Sequence, residues 1–112
     1  MTVVAALITV LLSPWKGASL PTAPSGTEYS VAYAMHIRGA ARQHVVLDAS
    51  NVAPGWIAAF CTSRLCSPFH SMLDLDSHGN AFLEFSLIRT DPKAARHTHV
   101  VVRANSHVVA KL

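Results

Sequence analysis

From Glu28 onward, apolar and polar residues alternate with a period of two. In EYSVAYAMHI, Tyr29, Val31, Tyr33, Met35 and Ile37 fall on one side, and Ser30, Ala32, Ala34 and His36 on the other. That alternation predicts a strand with one buried face. After RGAAR comes QHVVLDAS, whose valine and leucine content suits a second strand. NVAPG carries turn chemistry, because Pro54 fixes one dihedral and Gly55 frees the next. WIAAFC is a short strand with Trp56, Ala58 and Phe60 on one side. FHSMLDLD is another, with Leu73 and Leu75 inward and Asp74 and Asp76 outward. DSHGN is a tight turn, and AFLEFSLI is expected to return as the hairpin partner of FHSMLDLD. RTDPKAARH is a polar connection with room for one helical turn. THVVVRA, NSH and VVAKL end the sequence as a hairpin or as a strand that switches edges.

No long segment has a helical period. Six or seven short strands with turns between them predict an all-β fold, an antiparallel β-sandwich of about seven strands. The 112 residues suit one domain with one modest core. Tyr33, Ile37, Trp56, Phe60, Leu73, Leu83, Phe85 and Val100 are expected to be mostly buried.

The N-terminus differs in kind. MTVVAALITVLLSPW holds an uncharged run from Thr2 to Ser13. A bilayer span needs about 20 apolar residues, so this run is too short for one. It suits the apolar region of an export signal, and Gly17, Ala18 and Ser19 supply small residues for cleavage after Ser19. No Lys or Arg precedes the run. SLPTAPSGT follows, with two prolines and a glycine, and reads as a linker. The expected organisation is an export signal over 1–19, a linker over 20–27 and a sandwich over 28–112. Residues before about Glu28 are expected to lie outside the sandwich; the alternative is a buried first strand or helix. The mature chain would be secreted or periplasmic, with no stable membrane span.

Hydrophobic residues are 51% of the chain and charged residues 13%, which excludes disorder. The net charge is +3, but Arg38, Arg42, Arg64, Arg89, Lys93, Arg96, Arg103 and Lys111 are scattered. No basic stripe interleaved with aromatics argues for a nucleic-acid partner. No G-x-S-x-G elbow or phosphate loop is present, and Asp74 and Asp76 have no acid or base that the sequence places opposite them. A non-enzymatic role is expected.

Both cysteines, Cys61 and Cys66, lie in WIAAFCTSRLCSPFHSM. In an oxidising compartment two close cysteines usually pair; in the cytosol the same pair would suggest metal or redox chemistry. Around them, Pro54, Gly55, Trp56, Cys61, Cys66 and Pro68, followed by MLDLD and FLEFSLI, resemble small bacterial extracytoplasmic immunoglobulin-like domains. The resemblance spans roughly 28–103. It implies a sandwich, a local Cys61–Cys66 disulfide and a binding or spacer role. It departs from antibody-type domains, whose cysteines lie far apart on opposite sheets. Closing a loop as short as TSRL adds about 2 kcal/mol in the chain-entropy model.

Cys66, His70 and Met72 also look like the ligand loop of a cupredoxin, a copper electron-transfer domain on a sandwich. Its copper takes thiolate, imidazole and thioether from one loop and a second imidazole from an earlier strand, here His36 or His44. Only one residue separates His70 from Met72, so along a strand they share a face and leave little loop to wrap a metal. His97 and His99 also sit two apart and point to one side, with Thr98, Val100 and Val102 on the other. His36, His44, His78 and His107 have no partner nearby in sequence and read as surface residues. The expected function is a non-enzymatic exported immunoglobulin-like module for structure or protein interaction, without cofactor. The alternative is a cupredoxin-like domain for copper-dependent electron transfer or copper delivery.

Overall fold

The computed structural model describes residues 7–14, 30–62 and 65–112. These form nine strands and no helix. In chain order they are β1 (Thr9–Pro14), β2 (Ser30–Arg38), β3 (His44–Ser50), β4 (Trp56–Cys61), β5 (Cys66–Pro68), β6 (His70–Asp74), β7 (Asn80–Arg89), β8 (Val101–Ala104) and β9 (His107–Lys111). They make two antiparallel sheets, β1-β2-β7-β4-β5 and β6-β3-β8-β9. The all-β sandwich expected from the alternation is therefore present, with β1 and the three-residue β5 bringing the strands above the expected seven.

The core lies between the inward faces of the two sheets. Met35, Ile37, Trp56, Ala58, Phe60, Leu83, Phe85 and Leu87 enter from the five-stranded sheet, and Val45, Leu47, Ala49, Val102 and Ala104 from the other. Val100, just before β8, and Leu75, just after β6, complete it. Phe60 and Phe85 pack with ring centroids 5.0 Å apart, an arrangement that adds to the area they bury. Six of the eight expected core residues are buried; Tyr33 and Leu73 are half-buried and pack against the core's margin.

Two expectations are corrected. Thr9–Pro14 is not outside the sandwich but forms an edge strand, paired with β2 from Thr9↔Arg38 to Pro14↔Tyr33. Ile8, Val10 and Leu12 pack against the core, which is why an aliphatic run at this position finds a place in the sheet. The Ser19 cleavage point and the 20–27 linker lie outside the described residues.

The second correction concerns FHSMLDLD and AFLEFSLI. They are joined by the expected turn but are not a hairpin: β6 pairs with β3, and β7 lies between β2 and β4. The DSHGN turn is an arch between sheets, stacked on the β2–β3 arch RGAAR. The Gly39 N–H donates to the Gly79 carbonyl, the Arg42 N–H to that of Asp76 and the Leu75 N–H to that of Gln43, each at 2.9 Å. Gly79 adopts φ 78°, and a Cβ there would collide with the Gly39 carbonyl oxygen. Each arch thus satisfies the backbone of the other, and their strands pair across arches.

The Pro54–Gly55 turn is read correctly from sequence. The Trp56 N–H donates to the Ala53 carbonyl at 3.1 Å. Gly55 has φ 83°, and a Cβ would stand 2.5 Å from that of Ala94. The turn delivers Trp56 to the core, and its Nε1–H donates to the Ala95 carbonyl at 2.6 Å. The buried Arg89 donates to the Pro92 and Ala94 carbonyls, so the 91–95 connection is held down as a turn.

Candidate functional site

Cys61 and Cys66 are directly opposite each other on β4 and β5, and their Cα atoms lie 4.0 Å apart. They form a disulfide. Between them the Thr62 N–H donates to the Leu65 carbonyl at 2.9 Å. The bridge therefore clips a hairpin at one corner of the five-stranded sheet.

The residues of the copper reading are distributed over both sheets. The Cys66 sulfur is bonded to Cys61 and offers no thiolate. Phe69, at φ 63°, carries the chain from one sheet to the other: its N–H donates to Ala58 in the first, and its carbonyl accepts from Ala49 in the second. Beyond it, His70 and Met72 lie on the exposed face of β6, as the period of two requires. His44 faces Asp74 across β3 and β6, with Nδ1 2.8 Å from the carboxylate. His36 belongs to the other sheet. Among the described residues, no three His, Cys, Asp or Glu side chains stand together as metal ligands.

Two histidines read as lone surface groups have distant partners. His44 is exposed but pairs with Asp74, thirty residues away. His36 is half-buried; its Nε2 lies 3.0 Å from Asn80 Oδ1, and its ring stacks on Phe82 at 4.2 Å. The His44 partner comes from the β3–β6 register and those of His36 from the β2–β7 register, which sequence spacing does not reveal. His97 and His99 are exposed beside the inward Val100 as expected, although they precede β8 rather than lie in it.

The His36–Phe82 stack belongs to the outward face of the five-stranded sheet. Leu11, His36 and Phe82 form one cross-strand row over β1, β2 and β7. Ser13, Ala34, Glu84, Cys61 and Cys66 form the next row. A cleft of about 590 Å³ opens over these rows. Leu11 is 62% and Phe82 73% exposed, so two large apolar side chains meet solvent beside it. Its polar groups engage within the sheet: His36 with Asn80, and the Ser86 hydroxyl with Glu84 at 3.1 Å. An alternating strand with a polar outer face would carry neither Leu11 nor Phe82 outward, and AFLEFSLI shows Phe82 as the apolar residue out of phase.

No protein-family model, curated protein or solved structure matches this chain. No helix among the described residues is long and apolar enough to cross a membrane.

Proposed function

We propose that this chain is a non-enzymatic, exported immunoglobulin-like domain that works as a protein-interaction module, secreted or periplasmic. The observation that carries the reading is the outward His36–Phe82 strip on β2 and β7, with Phe82 73% exposed, an apolar surface on residues that remain with the domain once the 1–19 signal is removed. Contiguous exposed apolar surface marks a place where another molecule sits. The His36–Asn80 bond holds the imidazole flat against one side of Phe82 and so makes the strip rigid. The Cys61–Cys66 bridge supports the export reading, because such bridges persist in oxidising compartments.

The test is a photo-crosslinking residue placed at Phe82 and, separately, at Met72 on the other sheet, in the cells that make the protein. A discrete protein adduct at Phe82, absent at Met72 and weakened by His36→Ser, is the expected result. Equal labelling at both positions, or none at either, overturns the reading.

A further inference from the structure

The two outer faces of the sandwich carry their charges differently. On the four-stranded sheet they are matched within the chain: His44 lies 2.8 Å from Asp74, and Arg103 lies 3.9 Å from Asp48. On the five-stranded sheet, Arg38 and Glu84 are the charged residues among the described strand positions that face outward. Neither forms an ion pair with a described residue. The Ser86 hydroxyl donates to Glu84 Oε1, and Oε2 accepts from no described residue. The β2–β7 register sets these two charges symmetrically about the His36–Phe82 strip: Arg38 stands opposite Asn80, His36 opposite Phe82 and Ala34 opposite Glu84. Arg38 is therefore two residues beyond the strip in one direction and Glu84 two residues beyond it in the other, each about 7 Å away along the strands.

Positive, apolar and negative in order along the strands, this surface is complementary to itself. A two-fold axis lying in the sheet face, along the strip and across the strands, sets Phe82 of one copy on Phe82 of the other and reverses the strand direction between them. The reversal carries the Glu84 of each copy to the Arg38 end of the other. We propose that the occupant of this face is a second copy of the chain, in an isologous dimer with the two Phe82 rings at its centre and an Arg38–Glu84 ion pair between copies on either side. Sheets packed face to face keep their strands within about 30° of one another, which this axis allows. The exposed ring supplies the apolar contact: Phe82 is 73% exposed, and His36 stacks on one of its faces. The charge order fixes the register, because sliding or inverting one copy brings like charges together. A foreign partner needs both charges at this spacing, whereas a second copy already has them. The proposal rests on the interaction reading and names its partner, and every residue it uses lies on β2 or β7.

Sedimentation equilibrium of the full chain tests the proposal, with a monomer–dimer equilibrium as the expected result. Arg38→Glu and Glu84→Arg each set like charges against one another at both ends of the strip, and each is expected to raise the dimer Kd at least about 10-fold. Phe82→Asp should do the same. Mixing the Arg38→Glu chain with the Glu84→Arg chain restores opposite charges at both ends, so the mixture should dimerise at least about 10-fold more tightly than either chain alone. Mixing cannot rescue a chain that has merely lost its fold, so this arm separates charge pairing from misfolding. A chain that stays monomeric up to millimolar concentration, charge reversals that leave the Kd unchanged, or a mixture no tighter than its components overturns the proposal. The crosslinking residue at Phe82 separates it from the reading it rests on. An adduct of twice the chain's mass supports the second copy. An adduct of any other mass keeps the interaction reading and overturns the dimer, and the absence of any adduct overturns both.

Discussion

Asp76 shows how much one exposed side chain can organise. Its carboxylate accepts from the backbone N–H groups of His78 and Asn80 at 2.8 and 2.9 Å, closing the arch between β6 and β7. These bonds, that from Asn80 first and that from His78 next, hold its pKa below the usual 3.8. A lowered carboxylate pKa means that the folded state prefers the ionised form. Its stabilising contribution is therefore complete above the ordinary carboxylate pKa and lost as pH falls through the lower folded value. An NMR titration should place the Asp76 midpoint below 3.8, and Asp76→Ala should remove that part of the acid dependence of unfolding. A midpoint at or above the ordinary value would contradict the turn geometry. The cysteines give a second check at this scale. A thiol titration of the denatured, unreduced protein should find none free, and adding copper should produce no strong visible band. Reduction should lower stability by about 2 kcal/mol in urea titrations, in keeping with the short loop it opens.

Among the elements, the β8–β9 hairpin is the one most fully written in local sequence. Asn105 and Ser106 have φ of 48° and 69°, the two positive values of a two-residue turn that matches strand twist. Asn105 also reaches out of its hairpin: its side-chain oxygen accepts from the Val46 N–H at 2.8 Å, and its amide donates to the His44 carbonyl at 3.1 Å. Asn105→Gly keeps the backbone freedom and loses only these bonds, at about 1–2 kcal/mol. Asn105→Ala adds the cost of a positive φ and should be worse by about 1 kcal/mol. Denaturant melts of the two variants separate the contributions, and equal losses would mean that the turn conformation contributes nothing. The second half of this element, its contact with β3, was not legible, because it links residues about sixty apart. The β6–β7 connection shows the same limit. Its turn was readable from Asp76, Gly79 and Asn80, but its strands belong to different sheets because the 39–43 loop supplies the hydrogen bonds that stack the arches.

Across the whole molecule, stability rests on one core shared by two sheets. Phe85 is fully buried on the central strand β7 and touches the rings of both Tyr33 and Phe60. Phe85→Ala should cost about 3–5 kcal/mol, a large share of what a domain of this size has. Equilibrium unfolding in urea measures it, and a loss below about 1 kcal/mol would show that the inter-sheet core is not where the stability lies. The period of two in the sequence determined by itself that the chain is an all-β sandwich, and it identified most of the side chains that close its core. Alternation is a property of neighbouring residues, so it survives in a single sequence. Turn chemistry at Pro54–Gly55 and Asp76–Asn80 was local for the same reason. Which strands pair, that Thr9–Pro14 joins an edge, that His36 lies on Phe82 and that the outer sheet face carries a cleft were decided only by tertiary structure. Each depends on a register between segments tens of residues apart, chosen by which pairing buries the most apolar surface while leaving no backbone group unpaired.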